Sequence, residues 1–516
     1  EKSIFNGVIL KQGIEIDLNR GSVLVIEVVD TAQKMTLERN NEIFEKIKDS
    51  DLIGKLISAN GLKKKVTATK PVHEEIIQYY ATDWDLMVTR AELNGMLVSV
   101  DNELVTVAPP DTSQTPVLEV KYGFSIQDLK AEMNAAYQYP SSAIKSYSWD
   151  PSNQKLIEAG PEKLSVKEQG NVSSEELSKV FSVKKYTQQS SGELESASLK
   201  EWSSAELLKS RLSKIQGTVR FQGNATVKPM KMIQLSGLGG RFNGAAFISA
   251  VHHFIHNGVW QTTVQFGISP RWFTVEAKDI AAPVASGQLP PVQGLQIGVV
   301  KKVAKDPNGE FRVQITLPLL QNNSKPVWAR MATFYASKKV GAVFYPEVND
   351  EVIVGFMNDD PRFAVILGSV YSKKIPPPYP PDEKNTKKAI VTNSKLEVVF
   401  DDKDKIIEIK TPGKHVIKMD DKSGAISIKD SNKNTVSLSK GGITLDSASN
   451  IKIKAKGNIT IDAGGNLKAS AKANATMEGL QVSHKAKTKF SANANAMAEL
   501  KASGILTIKG ALVKIN

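Results

Sequence analysis

The sequence predicts a mainly β protein in three parts. These are an α+β hub over residues 1–275, an OB-fold barrel over 294–372, and a C-terminal trimeric β-helix or β-prism over 388–516. Three observations lead there. Residues 450–479 repeat every eight, with Asn450, Asn458, Asn466 and Asn474 opening successive octads. Five short apolar runs separated by turn residues fill 294–372, which suits a small closed barrel. The first half mixes such runs with stretches of helical spacing.

Taken in order, IFNGVILKQG, SVLVIEVVD, GMLVSVDNEL and VTVAPP read as strands within residues 1–110. A helix is expected over NNEIFEKIKDSDLIGKLI. A second is expected from near His73, where Ile76, Ile77, Tyr80, Trp84 and Met87 recur at helical spacing. Ser125 with Asp128 predicts a capped helix through LKAEMNAAYQY, ended by Pro140. Ser173 or Ser174 opens EELSKVF, and Ser203 with Glu206 opens ELLKSRLSKIQ. The polar stretch 182–198 reads as an exposed connection. Strands resume at GTVRFQG, MKMIQLSGL, AAFISAVHHFIHNG and VWQTTVQFGIS, and are expected to return to the early sheet. Residues 276–293 read as a linker, and 373–387 as a second, Pro-rich one whose PPPYPP run favours a stiff extended spacer.

Composition narrows the function. At 516 residues and 41% hydrophobic, the chain can bury about three cores. No apolar run reaches the ~20 residues that span a bilayer. The N-terminus, EKSIFNGVILKQG, carries no signal-peptide core, and the missing initiator Met allows for a few trimmed residues. The absence of cysteine excludes disulfides and thiolate metal sites. The net charge of +13 concentrates late: from Lys388 onward there are 22 Lys and no Arg against 12 Asp and Glu. Nucleic-acid binding would want Arg and stacking aromatics, and this segment has only Phe400 and Phe490, so no nucleic-acid partner is expected. Lysines on outward strand positions that keep edges soluble are the simpler reading.

No catalytic, cofactor or metal site is expected. His252 and His256 would share one face of a strand and His253 the other, leaving two ligands where zinc usually takes three or more. The acid pairs Asp83/Asp85, Asp359/Asp360 and Asp401/Asp402/Asp404 read as turn and surface residues. Ser249 and Ser483 have histidines nearby but no third partner, and SGLGGRFNG at 236–244 reads as a loop.

The ladder poses a burial problem. Within each octad the second, fourth and sixth places are apolar or small, and nothing in one strand covers them. The expected core residues are Ile443, Leu445, Ile451, Ile453, Ile459, Ile461 and Leu467. One solution is a single-chain solenoid with three octads per turn; the other is three chains wound around a shared axis. The shrinkage from Ile and Leu near 451–467 to Ala and Met through 469–502 favours the narrow trimeric axis.

The order of parts resembles the VgrG family of hub-spike proteins, known from type VI secretion and related to phage tail hubs and needles. The stretch 78-QYYATDWDLMVTRAELNGMLV-98 is similar to a family segment, and 237–267 resembles the hub's returning strands. The most specific match is 327–372, with VWAR, FYPEVNDEV and the closing DPRFAVILGSVY. The chain resembles spikes of extracellular, antifeeding-prophage-type systems as closely. The resemblance covers essentially the whole chain, but the helical hub insert is short, no lysozyme domain lies between barrel and shaft, and no effector domain is expected after Asn516. It implies a non-enzymatic homotrimer assembled in the bacterial cytoplasm, then released with a contractile particle and delivered into a target cell. It also implies tube and baseplate contacts at the hub, possible effectors, transient contact with the target membrane, and a PAAR-type tip protein seated on Ala511, Leu512, Val513, Lys514, Ile515 and Asn516. The competing readings are a β-solenoid polysaccharide- or wall-degrading enzyme and a trimeric adhesin or tail fibre.

Overall fold

The computed structural model describes residues 3–19, 21–321 and 325–515. The chain divides into two units, Glu1–Ile375 and Pro376–Asn516.

The first unit opens with a hairpin, Val8–Asp17 against Gly21–Val29, in which Ile14 stands opposite Leu24 and both are exposed. Strands Arg39–Lys48 and Val72–Thr82 then pair antiparallel, and each runs straight into a helix, Asp49–Ala59 and Asp83–Leu93. This corrects the two early helices: the first halves of both segments are strands. Phe44 and Ile76 are buried while their neighbours Ile43 and Ile77 are exposed, a period of two that the flanking helical turns obscure in the sequence. The true start of the second helix is Thr82, whose hydroxyl accepts the Asp85 N–H. Leu52, Ile53, Ile57, Met87 and Ala91 from the two helices meet Val105 and Val107 of a small mixed sheet to form one core.

A six-stranded sheet forms the second core. Its order is Glu119–Lys121, Met232–Ser236, Gly244–His256, Val259–Phe266, Ile215–Gln222 and Asp128–Met133. The late strands therefore return to strands at 119–133, not to those of residues 1–110. The expected helix after Ser125 is this edge strand. Leu129, Ala131 and Met133 alternate onto the core, and the Ser125 hydroxyl accepts the Lys121 N–H in a turn. The Ser173 cap holds as a reciprocal box with Glu176. Ser203 does not cap: the helix runs Ser196–Leu212, and Ser203 is buried inside it, bonded to Leu199 O and Ser146. Within 182–198, Tyr186–Ser190 is a strand parallel to Ile144–Asp150, with Gln188 buried against Ser146.

Residues 276–293 are tied at both ends. Arg39 donates to the carbonyls of Asp279, Ile280 and Ala281, while Val292 N–H and Gln288 meet Asp359 O and Arg362. Beyond them, Gln296–Lys302, Val313–Thr316, Val327–Met331, Ala364–Ser369 and Glu351–Phe356 close into a barrel around Val300, Ile315, Val354 and Ile366. Two acids expected on the surface are buried. Asp83 accepts from Asn40, Asn60 and Gln78, and Asp360 pairs with Arg362.

In the second unit the phenol of Tyr379 donates to Glu397, so the proline-rich run is anchored to the sheet that follows. That sheet is an antiparallel meander of seven strands from Lys387–Val391 to Gly442–Asp446. The octad ladder begins only after it.

Candidate assembly surface of the C-terminal shaft

Each meander strand is five residues long. Val399, Ile406 and Val416 lie on one face, and most of the apolar side chains collect on the other. The registers align them across the sheet: Ile407 opposite Met419, Ile417 opposite Ile428, Ile426 opposite Leu438, and Leu438 opposite Ile443. These residues remain 39–74% exposed, because nothing in the chain lies over them. A continuous apolar face of this extent is what an assembly interface looks like in an isolated protomer. The opposite face is charged and internally paired. Lys410 lies 3.0 Å from Glu408, and Lys418 lies 2.9 Å from Asp420, whose carboxyl that ammonium helps to hold down at about 2.

Residues 450–515 differ in kind. Among the described residues of this stretch no strand pairs within the chain, no backbone–backbone hydrogen bond forms, and every side chain is exposed. The chain bends at 448–449, 456–457, 464–465, 472–473, 480, 487–488, 495–496, 503–504 and 511–512. The octad period is thus a physical corner spacing, with one seven-residue step after Leu480. That step moves most of the apolar set from odd positions (Ile451, Ile459, Leu467) to even ones (Val482, Phe490, Leu500, Leu506, Ile508), because losing one residue from a strand reverses its faces; Met497, Ile505, Val513 and Ile515 stay on odd positions. His484 and Phe490, across the corner at 487–488, keep their rings 6.1 Å apart on this switched set.

The expected core residues fall in two places. Ile443 and Leu445 lie on the last meander strand, opposite Leu438 and Val436; Ile451, Ile453, Ile459, Ile461 and Leu467 lie in the unpaired ladder. All seven are 55–74% exposed in the single chain. The larger part of the face, Ile407 to Leu438, is missing from that expectation, although alternation in five-residue runs spaced nine or ten apart is readable from 397 onward. At the end of the chain Leu512, Val513 and Ile515 are exposed, and Asn516 lies outside the described residues.

Among the described residues no cluster of three or more His, Asp or Glu side chains is placed to hold a metal. Of the clustered histidines, His253 is turned to Thr262 at 2.9 Å beside Trp260, and burial lowers its basicity. Buried ion pairs serve packing. Asp49 gathers His73, Arg90 and Asn94, and Lys214 reaches Glu168 at 2.5 Å. Glu206, raised by burial, accepts the Trp272 indole N–H at 2.8 Å.

Residues 1–257 match the family described as the Alg8 N-terminal domain. Residues 296–371, the closed barrel, match the type VI secretion system/phage-baseplate injector OB domain. Among curated proteins, the type VI secretion system spike protein VgrG1c of Pseudomonas aeruginosa is 29% identical over 112 residues, 20% of this chain and 15% of the relative. VgrG3 of Vibrio cholerae is 28% identical over 141 residues, 25% of this chain and 13% of the relative. The aligned stretch thus spans only about one-seventh of these relatives' own lengths. A further V. cholerae relative, 28% identical over 112 residues, is named an actin cross-linking toxin, VgrG1. Among solved structures, a tail protein of Neisseria meningitidis MC58 aligns at TM-score 0.39 and 13% identity, covering 52% of this chain and 80% of its own. The E. coli c3393 protein, described as a component of the type VI secretion system, aligns at TM-score 0.32 and 12% identity, covering 70% and 83%. The chain is thus similar to the VgrG spike proteins over a fifth to a quarter of its length, and its barrel to the injector OB domain.

Proposed function

We propose that this protein is the structural hub-spike of a contractile injection machine and works as a homotrimer without catalytic turnover. The observation that carries the reading is the shaft. A seven-stranded sheet with one uncovered apolar face is followed by a ladder, cornered every eight residues, that has no partner in its own chain. Three copies answer both needs. Three sheets turn their apolar faces to a common axis as a prism, and three ladders supply each other's backbone partners as an intertwined helix. A solenoid made by one chain would instead pair successive octads within that chain, and residues 450–515 do not.

In this reading the first unit joins the spike to the inner tube and baseplate. The barrel orients the shaft, and the exposed Leu512, Val513 and Ile515 receive a separate PAAR-type tip protein. Effectors ride on the assembly, which forms in the producing cell and pierces the target envelope when the machine contracts. The barrel's likeness to injector OB domains and the named spike relatives support this assignment.

Light scattering on the full chain tests it. The expected mass is three times 56.2 kDa, and a monomer at micromolar concentration overturns the proposal. Deleting residues 386–516 should leave tube assembly intact and abolish injection; unimpaired injection would equally overturn it.

A further inference from the structure

Charge is distributed unequally along the shaft. Residues 388–446 hold eleven lysines and nine acids, and several of these pair: Lys388 with Asp402, Lys410 with Glu397 and Glu408, and Lys418 with Asp420. Residues 447–515 also hold eleven lysines, but only three acids, Asp462, Glu478 and Glu499. However three chains assemble, three carboxylates cannot neutralise eleven ammonium groups, so an excess of eight positive charges per chain remains.

The lysines are also ordered. Before the corner at Leu480 they stand on even positions, Lys452, Lys454, Lys456, Lys468 and Lys472, opposite the odd apolar set. After it Lys485, Lys487, Lys489, Lys501 and Lys509 stand on odd positions, opposite the larger, even apolar set, while Lys514 at the end falls on an even one. The face switch moves ten of the eleven lysines with it, which keeps one side of the ladder cationic from Lys452 to Lys509. Solubility alone would be served equally by Asp and Glu.

We propose that the distal shaft, residues 447–515, binds the phosphate-bearing headgroups of an anionic membrane surface. This rests on the trimeric spike reading. Lysines are compact point charges on flexible stems, suited to dispersed headgroup phosphates. Nucleic acid is the less fitting polyanion: the segment has no arginine, and its single aromatic, Phe490, lies on the apolar set. The attraction acts over roughly a Debye length of ~10 Å at moderate salt, so it seats the shaft against the envelope as contraction drives it in.

The test is co-sedimentation of the full-length protein with vesicles of phosphatidylcholine alone or with added phosphatidylglycerol, its mass being followed by light scattering. Binding should be about tenfold tighter to the anionic vesicles, weaken with added salt, and fall about tenfold in K452Q/K454Q/K456Q. The control K388Q/K410Q/K418Q, with the same charge change in the paired sheet, should bind like the parent. A trimer that binds both vesicles equally, or a triple 452–456 variant that binds like the parent, overturns the inference and leaves the spike reading standing. Equal affinity for duplex DNA, or displacement by inorganic phosphate beyond that by chloride at equal ionic strength, overturns it as well. A monomer overturns the spike reading itself and the inference with it.

Discussion

Ile417 and Ile428 stand directly opposite each other on neighbouring strands of the shaft sheet, 40% and 48% exposed, with no residue of their own chain above them. In the proposed trimer both become axial. Burying the exposed remainder of one such side chain contributes about 1 kcal/mol, and each substitution is repeated three times. I428D would place three unpaired carboxylates around that axis. The expected outcome is a monomer by light scattering with the β signature of the hub and barrel retained. A trimer of parental stability would mean that this face is not the interface.

Arg39 ties the start of the linker to the strand pair it belongs to. Its guanidinium donates to Tyr80 O at 2.8 Å and gathers the carbonyls of Asp279, Ile280 and Ala281. R39A leaves these backbone acceptors to solvent, which can replace the lost donor, at a net cost of about 0.5–1.5 kcal/mol. Because the contact lies at a linker, the expected readout is local: faster proteolysis within 277–293 while the melting of the two cores changes little. Unchanged cleavage would show that the linker holds its place without this residue.

Much of the architecture is legible in the sequence where a pattern is local. Asn and Gly at eight-residue spacing mark real corners, since 456–457 and 464–465 are bends. The five barrel runs become five barrel strands. The failures share one cause: the deciding contact is distant. Leu129, Ala131 and Met133 satisfy a strand as well as a helix, and it is pairing with Ile215–Gln222 that selects the strand. Asp83 looks like a surface acid because its partners Asn40 and Asn60 come from other elements. The exposed apolar face is legible only in part, since Ile443 and Leu445 can be named while the sheet register that joins them to Ile417 and Ile428 cannot.

Acid stability should depend on Asp49. Burial alone would raise its carboxyl, but hydrogen bonds from His73, Arg90 and Asn94 and the Arg90 charge outweigh it, bringing the group down from 3.8 to about 2. A carboxylate depressed in the folded state contributes stability that is fully present above its unfolded value. That stability is lost as pH falls from near 4 through about 2. The difference in unfolding free energy between parent and D49N should therefore include a pH-dependent part of about 2 kcal/mol at pH 6 that shrinks toward pH 2. Denaturant titration across that range checks it, and a pH-independent difference would contradict the assignment.

The barrel makes a packing prediction at Gly298. A Cβ there would come within 2.8 Å of Val354 Cγ2 and 3.1 Å of Ile315 Cδ1, both fully buried. G298A should overpack the barrel by about 1–3 kcal/mol, lowering its melting transition without altering the hub's. Equal shifts in both transitions would show that barrel and hub unfold as one.

The ladder offers the sharpest contrast between one chain and three. Amides of residues 451–515 have no backbone acceptor in their own chain, whereas meander amides such as those of Val416–Asp420 are paired in-chain. Hydrogen exchange reports that difference directly. In the assembled protein both segments should be protected. In the I428D monomer the meander should retain partial protection from its own ladder, while 451–515 should exchange at least about 100-fold faster than in the parent, approaching unstructured chain. The two segments of one shaft would then separate by the origin of their hydrogen bonds alone. Persistent protection of 451–515 in a demonstrated monomer would require in-chain partners and would return the ladder to a single-chain solenoid.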